Sequence, residues 1–359
     1  SVIDGRMNSL VDALDSRSAN LTEAIDNRTA GLSKLLTEGG STLLDQLRDR
    51  GHEVSGSDAS DGPGLKSLSE LGARVALGHD PAHIGPARRI VVSPAIPPDN
   101  VELNAARAAG LDVQTRAQAL AGLLRGRQVT AVAGSHGKTT TTAMLTLVLR
   151  RAGLDPGYYL GGTCASVGEV SACWSTGAPF VLEACEAFGA LEVWRPTHCL
   201  VTNLGDEHLE HYGGQDRLVA AFQDMVRGMP ASGALVLCGD DPGAAALASL
   251  RPERAVTYGL GAANQIRGEV RFRSQDATVF TVYRGGELLG EVRLPLVGRH
   301  NVRNALGAAA MALECGVPFE VVAGALADFH GVDRRWSRVG EAAGVRVFDD
   351  YAHHPTEID

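Results

Sequence analysis

The chain has 359 residues, which at roughly 150 residues per domain makes two or three domains, each long enough to bury its own core; size alone excludes disulfide-stapled and zinc-stapled scaffolds. Hydrophobic residues at 44%, charged residues at 21% and aromatics at 5% are an ordinary globular balance, far from disordered or collagen-like compositions. Thirty-three Lys plus Arg against 42 Asp plus Glu give a net charge of −9, which argues against a nucleic acid as main partner and leaves room for a local phosphate site.

Residues 1–36 repeat with a period of eleven. Leu10, Leu21 and Leu32 are so spaced, and Asp15-Ser16-Arg17-Ser18-Ala19-Asn20-Leu21 recurs as Asp26-Asn27-Arg28-Thr29-Ala30-Gly31-Leu32. Eleven residues over three turns is 3.67 per turn, so the spacing predicts an amphipathic helix with a slight right-handed drift. It is either a solvated extension over 1–38 or an element that self-associates through residues 1–36. These first residues hold no unbroken apolar run, and no 18-residue apolar stretch follows. Neither a signal peptide nor a membrane span is expected, and no membrane partner. The six cysteines, Cys164, Cys173, Cys185, Cys199, Cys238 and Cys315, form no Cys-x-x-Cys pair. That disfavours zinc ribbons and redox motifs and fits a reduced compartment, the cytoplasm.

From Gly39 apolar strands alternate with amphipathic helices. Leu43 to Leu47 is helical in spacing, His52 to Asp58 is a short strand, Ile90 to Ser93 a second, and Asn104 to Gly110 and Ala117 to Leu124 are helices. Residues 39–127 read as a Rossmann-like domain whose first strand is missing, with Gly39-Gly40 the only remnant of its glycine turn. Residues 128–340 form the second unit. Thr130 to Ala133 is a strand, Gly134 to Thr140 a glycine turn, and Thr141 to Arg151 a helix. Strands follow at Phe180–Leu182, Cys199–Thr202 and Ala234–Cys238. Strands alternating with helices predict an α/β fold with a mostly parallel, doubly wound sheet. Between Gln265 and Leu296 the period becomes two, a β-meander insertion; Asn301–Leu313 and Phe319–Phe329 return to helix. Val345 to Asp350 reads as the first strand of a further domain over 341–359.

Gly134-Ser135-His136-Gly137-Lys138-Thr139-Thr140 is a short P-loop. Its glycines let backbone N–H groups turn inward around phosphate oxygens, Lys138 reaches the terminal phosphates, and the Thr139 hydroxyl can ligate Mg²⁺. Two more strands end in chemistry-bearing groups, Glu183-Ala184-Cys185-Glu186 and Asn203-Leu204-Gly205-Asp206-Glu207-His208. In open α/β sheets ligands sit beyond the carboxyl ends of the strands, so these segments should converge. Glu183 with Thr139 supplies the hard oxygens that Mg²⁺ prefers; His208 is a less natural ligand for it. Cys185 reads as a buried small residue. Asn301 and Asn304 share a face of one helical turn, where they could meet a base edge or, for Asn301, cap the helix. The guanidinium groups of Arg334-Arg335 suit a transferring phosphoryl group.

As a set and in order, these motifs resemble the Mur ligase family. The resemblance also includes Val91-Val92-Ser93-Pro94-Ala95-Ile96, Thr115-Arg116-Ala117-Gln118, Gly298-Arg299-His300-Asn301, Gly331 to Arg335 and Asp349 to Glu357, and runs from about residue 39 to the end. It implies an ATP-dependent, ADP-forming ligase of peptidoglycan precursor synthesis with three domains, one for a UDP-sugar, a central ATPase and a closing C-terminal domain of which these residues hold only the start. Lys138 would contact ATP, Thr139 and Glu183 would hold one Mg²⁺, and His208 would help hold a second. Asn304 would meet adenine, and Arg335 and Asp350 would engage ATP. The double histidine His353-His354 points to a member that joins L-alanine to UDP-N-acetylmuramate, or to one that attaches a tripeptide. A non-catalytic nucleotide-binding protein is the reading from another class. Glu207 stands where the family usually has Asp.

Overall fold

The computed structural model describes residues 51–168, 170–206, 209–335, 337–342 and 345–350. The expected helices within residues 1–47, and Glu207, His208 and residues 351–357, lie outside them. Chain contacts divide the described residues into two units, 51–86 with 100–105, and the remainder.

In the smaller unit, strand β1 (Ser55–Asp58) runs parallel to β2 (Arg74–Leu77), with helix α1 (Pro63–Glu70) as the crossover. Helix α2 (Val101–Ala108) starts three residues earlier than its apolar period suggests, because the Asn100 side-chain oxygen accepts hydrogen bonds from the N–H groups of Glu102 (3.0 Å) and Leu103 (3.1 Å), as an N-cap does. That start places Glu102 amid donors. Its carboxylate accepts from Ser57 Oγ at 2.6 Å and Asp80 N at 3.1 Å, and lies 2.9 Å from His83 Nδ1. Burial works to raise its pKa, but the bonds from Ser57, His83 and Asp80 win and hold it below the ordinary value.

The larger unit begins with a parallel pair, β3 (Arg89–Val92) and β4 (Asp112–Thr115), followed by helix α3 (Arg116–Leu123). A reciprocal capping box between Thr115 and Gln118 starts α3, satisfying two otherwise orphaned N–H groups. Then comes the main sheet. Its strands in sequence order are β5 (Gln128–Ala133), β6 (Gly157–Tyr159), β7 (Ala172–Cys173), β8 (Pro179–Ala184), β9 (His198–Val201), β10 (Leu235–Cys238), β11 (Ala255–Gly259), β12 (Ile266–Arg273), β13 (Thr278–Arg284) and β14 (Glu287–Leu294). Their spatial order is β14-β13-β12-β11-β10-β9-β5-β8-β6-β7. All pairings are parallel except β6–β7, β12–β13 and β13–β14. The meander therefore extends the main sheet through the parallel β11–β12 pair.

The strands read as unbroken apolar runs because both faces of the sheet are covered. Val132, Val181, Leu200 and Val236 pack in the core shared with helices α4 (Lys138–Arg151), α8 (Arg299–Glu314) and α9 (Phe319–Ala327). Their neighbours Ala131, Leu182, Val201, Leu235 and Leu237 face the other way, onto Leu218, Ala221, Phe222, Met225 and Val226 of helix α6 (Gln215–Arg227), which follows the short α5 (Leu209–Tyr212) and precedes the short α7 (Pro242–Ala246). That i, i+3, i+4, i+7, i+8 spacing is one face of a helix. Strand order reverses at β5, since β8 lies on one side of it and β9 on the other. The loops leaving β5, β8 and β9 thus meet at a topological switch point, where doubly wound sheets hold ligands. Strand β16 (Val345–Asp349), expected from sequence, pairs antiparallel with β15 (Ser337–Ala342).

A carboxyl whose folded pKa is depressed contributes stability that is present above its unfolded value and lost as pH falls through the folded one. Glu102→Gln is therefore expected to destabilise the β1–β2 unit by about 1–2 kcal/mol near neutrality and to abolish the part of its acid weakening that develops below pH 4.5, the ordinary carboxyl value. Amide exchange of Ser55–Asp58 against pH measures both; identical acid profiles in the two proteins would contradict the assignment.

Candidate active site

The loop between β5 and α4 has two left-handed turns, Gly134 at φ 126 and Gly137 at φ 79. Both need glycine for space as well as for backbone angle. A Cβ on Gly134 would stand 2.3 Å from Thr202 Oγ1 and 2.7 Å from the Asn203 carbonyl; one on Gly137 would stand 2.4 Å from Asn304 Oδ1. The chain leaving β9 clasps the loop. Thr202 Oγ1 donates to the His136 carbonyl (2.6 Å), and the Asn203 amide brackets the same residue, accepting from His136 N (2.8 Å) and donating to His136 O (3.0 Å). Ser135 N donates to the Asn203 carbonyl at 3.3 Å, and Gly205 N donates to Ser135 Oγ at 2.8 Å.

Lys138 opens α4 and folds back over this turn. Its Nζ donates to the Gly134 carbonyl (2.6 Å), the Ser135 carbonyl (2.9 Å) and Glu186, whose two oxygens lie 3.2 and 3.0 Å away. Lys138 is 9% exposed and Glu186 fully buried. Burial by itself would lower the lysine pKa, but the Glu186 carboxylate, helped by Glu183, raises it above the ordinary value, so the ammonium stays charged. Cys185 lies beside this pair with its thiol pushed up by burial; a protonated thiol is a poor nucleophile, in keeping with its reading as a small packing residue.

Glu183, at the end of β8, receives three groups. Thr139 Oγ1 lies 3.0 Å from Oε1, Gly161 N donates to Oε2 at 2.5 Å, and Arg335 stands close enough for its charge to favour the carboxylate. Burial nevertheless dominates and lifts the Glu183 pKa above its ordinary value. The pair of hard oxygens on Thr139 and Glu183 suits Mg²⁺, which typically takes one or two protein oxygens and completes its shell with phosphates and water. Among the described residues no group of three His, Cys, Asp or Glu side chains is arranged as a metal cage, so a cation here would depend on ligand oxygens.

Of the residues expected from sequence, Gly134, Ser135, His136, Gly137, Lys138, Thr139, Thr140, Glu183, Asn304 and Arg335 are brought together around this loop. Thr140 is buried in the first turn of α4. Asn304 is buried on α8 against Gly137, while Asn301 bonds back to the Val297 carbonyl at 2.8 Å, as a helix-entry residue does. Asp350 stands near His300 on the first turn of α8, where burial lowers the His300 pKa against the pull of Asp350. His208 lies outside the described residues. Sequence reasoning did not single out Gly161, whose N–H grips Glu183, or Glu186 as the partner of Lys138. The Gly161-Gly162 pair directly after a short apolar strand was the available signal for the first.

Comparison with known proteins agrees with this geometry. The family model "Mur ligase middle domain" matches residues 132–312, and "Mur ligase family, catalytic domain" matches 41–128. The chain belongs to the Mur ligase family. Within the family it is 45% identical over 327 residues to the UDP-N-acetylmuramate–L-alanine ligase of Kineococcus radiotolerans, covering 89% of this chain and 69% of that protein. The protein of the same name from Renibacterium salmoninarum is 45% identical over 324 residues, with the same shares. Among solved structures, the UDP-N-acetylmuramate-alanine ligase of Thermotoga maritima superposes with a TM-score of 0.77 at 29% identity, over 89% of this chain and 73% of that one. The UDP-N-acetylmuramate:L-alanyl-gamma-D-glutamyl-meso-diaminopimelate ligase from Neisseria meningitides gives 0.73 at 28%, over 82% and 95%.

The close approaches at the loop of this Mur ligase make a directional expectation. Gly134→Ala should cost about 2 kcal/mol or more, through its left-handed angle and its clash with Thr202 and the Asn203 backbone. Gly324→Ala, inside α9 with open space around it, should stabilise by about 0.5–1 kcal/mol. Urea unfolding of the two variants measures the pair; a Gly134→Ala midpoint equal to wild type would contradict the loop geometry.

Proposed function

We propose that this Mur ligase chain binds Mg·ATP in the Gly134–Thr140 loop and uses it to join L-alanine to the lactoyl carboxylate of UDP-N-acetylmuramate. This step of peptidoglycan precursor synthesis would run in the cytoplasm. The observation that carries the reading is the meeting of Lys138, Thr139 and Glu183 at the switch point of the sheet, in a chain 45% identical over 327 residues to a ligase of that name. In this reading residues 39–127 serve the UDP-sugar, 128–340 the nucleotide, and 341–359 begin a further domain; residues 1–38 are a helical extension able to self-associate.

A carboxylate is a poor acylating agent, and it and the γ-phosphate repel each other. The first-turn N–H groups of α4 and the Lys138 ammonium would offset that charge, in a site where fixed dipoles need no reorganisation. Thr139 and Glu183 would hold one Mg²⁺ and His208 would help to hold a second; bound cations neutralise the charge that develops on the phosphoryl oxygens. Asn304 and Asp350 would orient the nucleotide, and Arg335 would engage its terminal phosphate. A lactoyl carboxylate oxygen attacks the γ-phosphorus and ADP leaves. The alanine amine then attacks the acyl carbon, loses a proton, and the tetrahedral adduct collapses with release of phosphate.

The likeness to the Neisseria ligase supports a second acceptor, a tripeptide in place of alanine. ADP release with L-alanine alone and with tripeptide alone separates the two, and release only with the tripeptide would overturn the alanine assignment. For the nucleotide, Lys138→Ala is expected to weaken Mg·ATP binding by about a hundredfold or more, the loss of a charge-assisted partner inside a buried site. Calorimetric titration measures it, and unchanged affinity would refute the phosphate-loop assignment.

A further inference from the structure

The segment after β6 touches both halves of the site. At one end Gly161 N donates to Glu183. A Cβ on Gly162 would lie 3.4 Å from Val332 Cγ1 and 3.5 Å from Thr139 Cγ2, so this backbone runs in contact with the phosphate loop's helix on one side and the turn before Arg335 on the other. Further along, the segment is stitched to that turn. The Thr163 carbonyl accepts from Asp333 N at 2.9 Å and the Thr163 hydroxyl donates to Asp333 Oδ2. Cys164 Sγ donates to the Gly331 carbonyl at 3.1 Å, and Ser166 Oγ accepts from His330 N at 3.2 Å. The turn closes with Arg335 N on the Val332 carbonyl (3.1 Å) and holds Arg334 at φ 61. A left-handed angle at a non-glycine persists only where its surroundings over-determine it, and the four bonds from 163–166 do that.

We infer that Thr163 is a positioning residue for Arg335: through its two bonds to Asp333, the Gly161–Ser166 segment fixes where the guanidinium stands relative to Glu183 and the nucleotide. The inference rests on the reading above that Arg335 engages the terminal phosphate of ATP. Thr163 touches no substrate in this account. It acts by holding the turn, and a loss of about an ångström in the placement of a charged group is enough to be felt at a reacting centre.

The test compares the affinities of the full chain for Mg·ATP and Mg·ADP, measured by calorimetry. Thr163→Val keeps the shape of the side chain and removes its hydrogen bond. It should lower the preference for ATP over ADP by about fivefold, the effect of weakening one charge-assisted contact, with ADP affinity kept within about twofold. Thr163→Ser should restore the preference, and Thr163→Val added to Arg335→Ala should lower it no further. A merely structural role would weaken ATP and ADP alike, and that result would overturn the inference. So would a full ATP preference in Thr163→Val, or an equal loss on the Arg335→Ala background. If Thr163→Val does not fold, Asp333→Ala at its exposed position removes the same side-chain bond and carries the same expectations. Arg335→Ala with undiminished ATP preference would sink the reading of Arg335 itself, whereas its loss of preference beside an intact Thr163→Val would sink the positioning role alone.

Discussion

The site depends on burying one ammonium group inside a turn of backbone. Removing a cation from water costs on the order of several kcal/mol unless it is paired and hydrogen-bonded. Lys138 meets that demand with one carboxylate and two carbonyls. The carbonyls of Gly134 and Ser135 can point at Nζ only because the turn is left-handed at Gly134 and Gly137. Those angles, in turn, bring the loop against Thr202, Asn203 and Asn304 closely enough to exclude any Cβ. The glycines, the clasp from β9 and the buried Glu186 are thus one solution to one electrostatic problem. What the loop then presents to a ligand is a fixed backbone shape, the start of helix α4 and a charge already in place, which is where preorganised binding gains its affinity.

The sheet supplies the registration. Because β5 lies between β8 and β9, one turn of chain beyond each strand brings the loop, Glu183 with Glu186, and Thr202 with Asn203 to the same edge. Two carboxylates three residues apart then do different work. Glu186 is fully buried and pairs with Lys138, whereas Glu183 faces the hydroxyl of Thr139 and the charge of Arg335. Burial raises the Glu183 pKa, which makes its anion a ligand in need of a positive partner. A divalent cation shared with phosphate oxygens would meet that need.

Much of this was legible in the sequence, and the boundary is physical. β5, β8, β9 and β10 are buried on both faces and leave unbroken apolar runs; the P-loop is local, so its chemistry lies within seven residues. β11 was not foreseen: Ala255-Val256-Thr257-Tyr258-Gly259 is short and only partly buried, and it is recruited by parallel pairing with β10. The start of α2 was misjudged because Asn100, a capping residue, decides it rather than the apolar period. Contacts made across long stretches of chain left no periodic trace at all. Lys138 and Glu186 are 48 residues apart and Thr163 and Asp333 are 170 apart, and only the sheet order makes either pair neighbours.

The central claim is that the phosphate loop is held ready by the chain leaving β9. It is tested most directly by calorimetric titration of Mg·ATP into wild type and Asn203→Ala. The substitution removes both side-chain bonds to His136 and leaves Lys138, Thr139 and Glu183 untouched. At about 1 kcal/mol for each bond, affinity should fall about tenfold or more, with ADP affected equally because both nucleotides use the same loop. Wild-type affinity in Asn203→Ala would contradict the claim and show that the loop keeps its shape without that clasp.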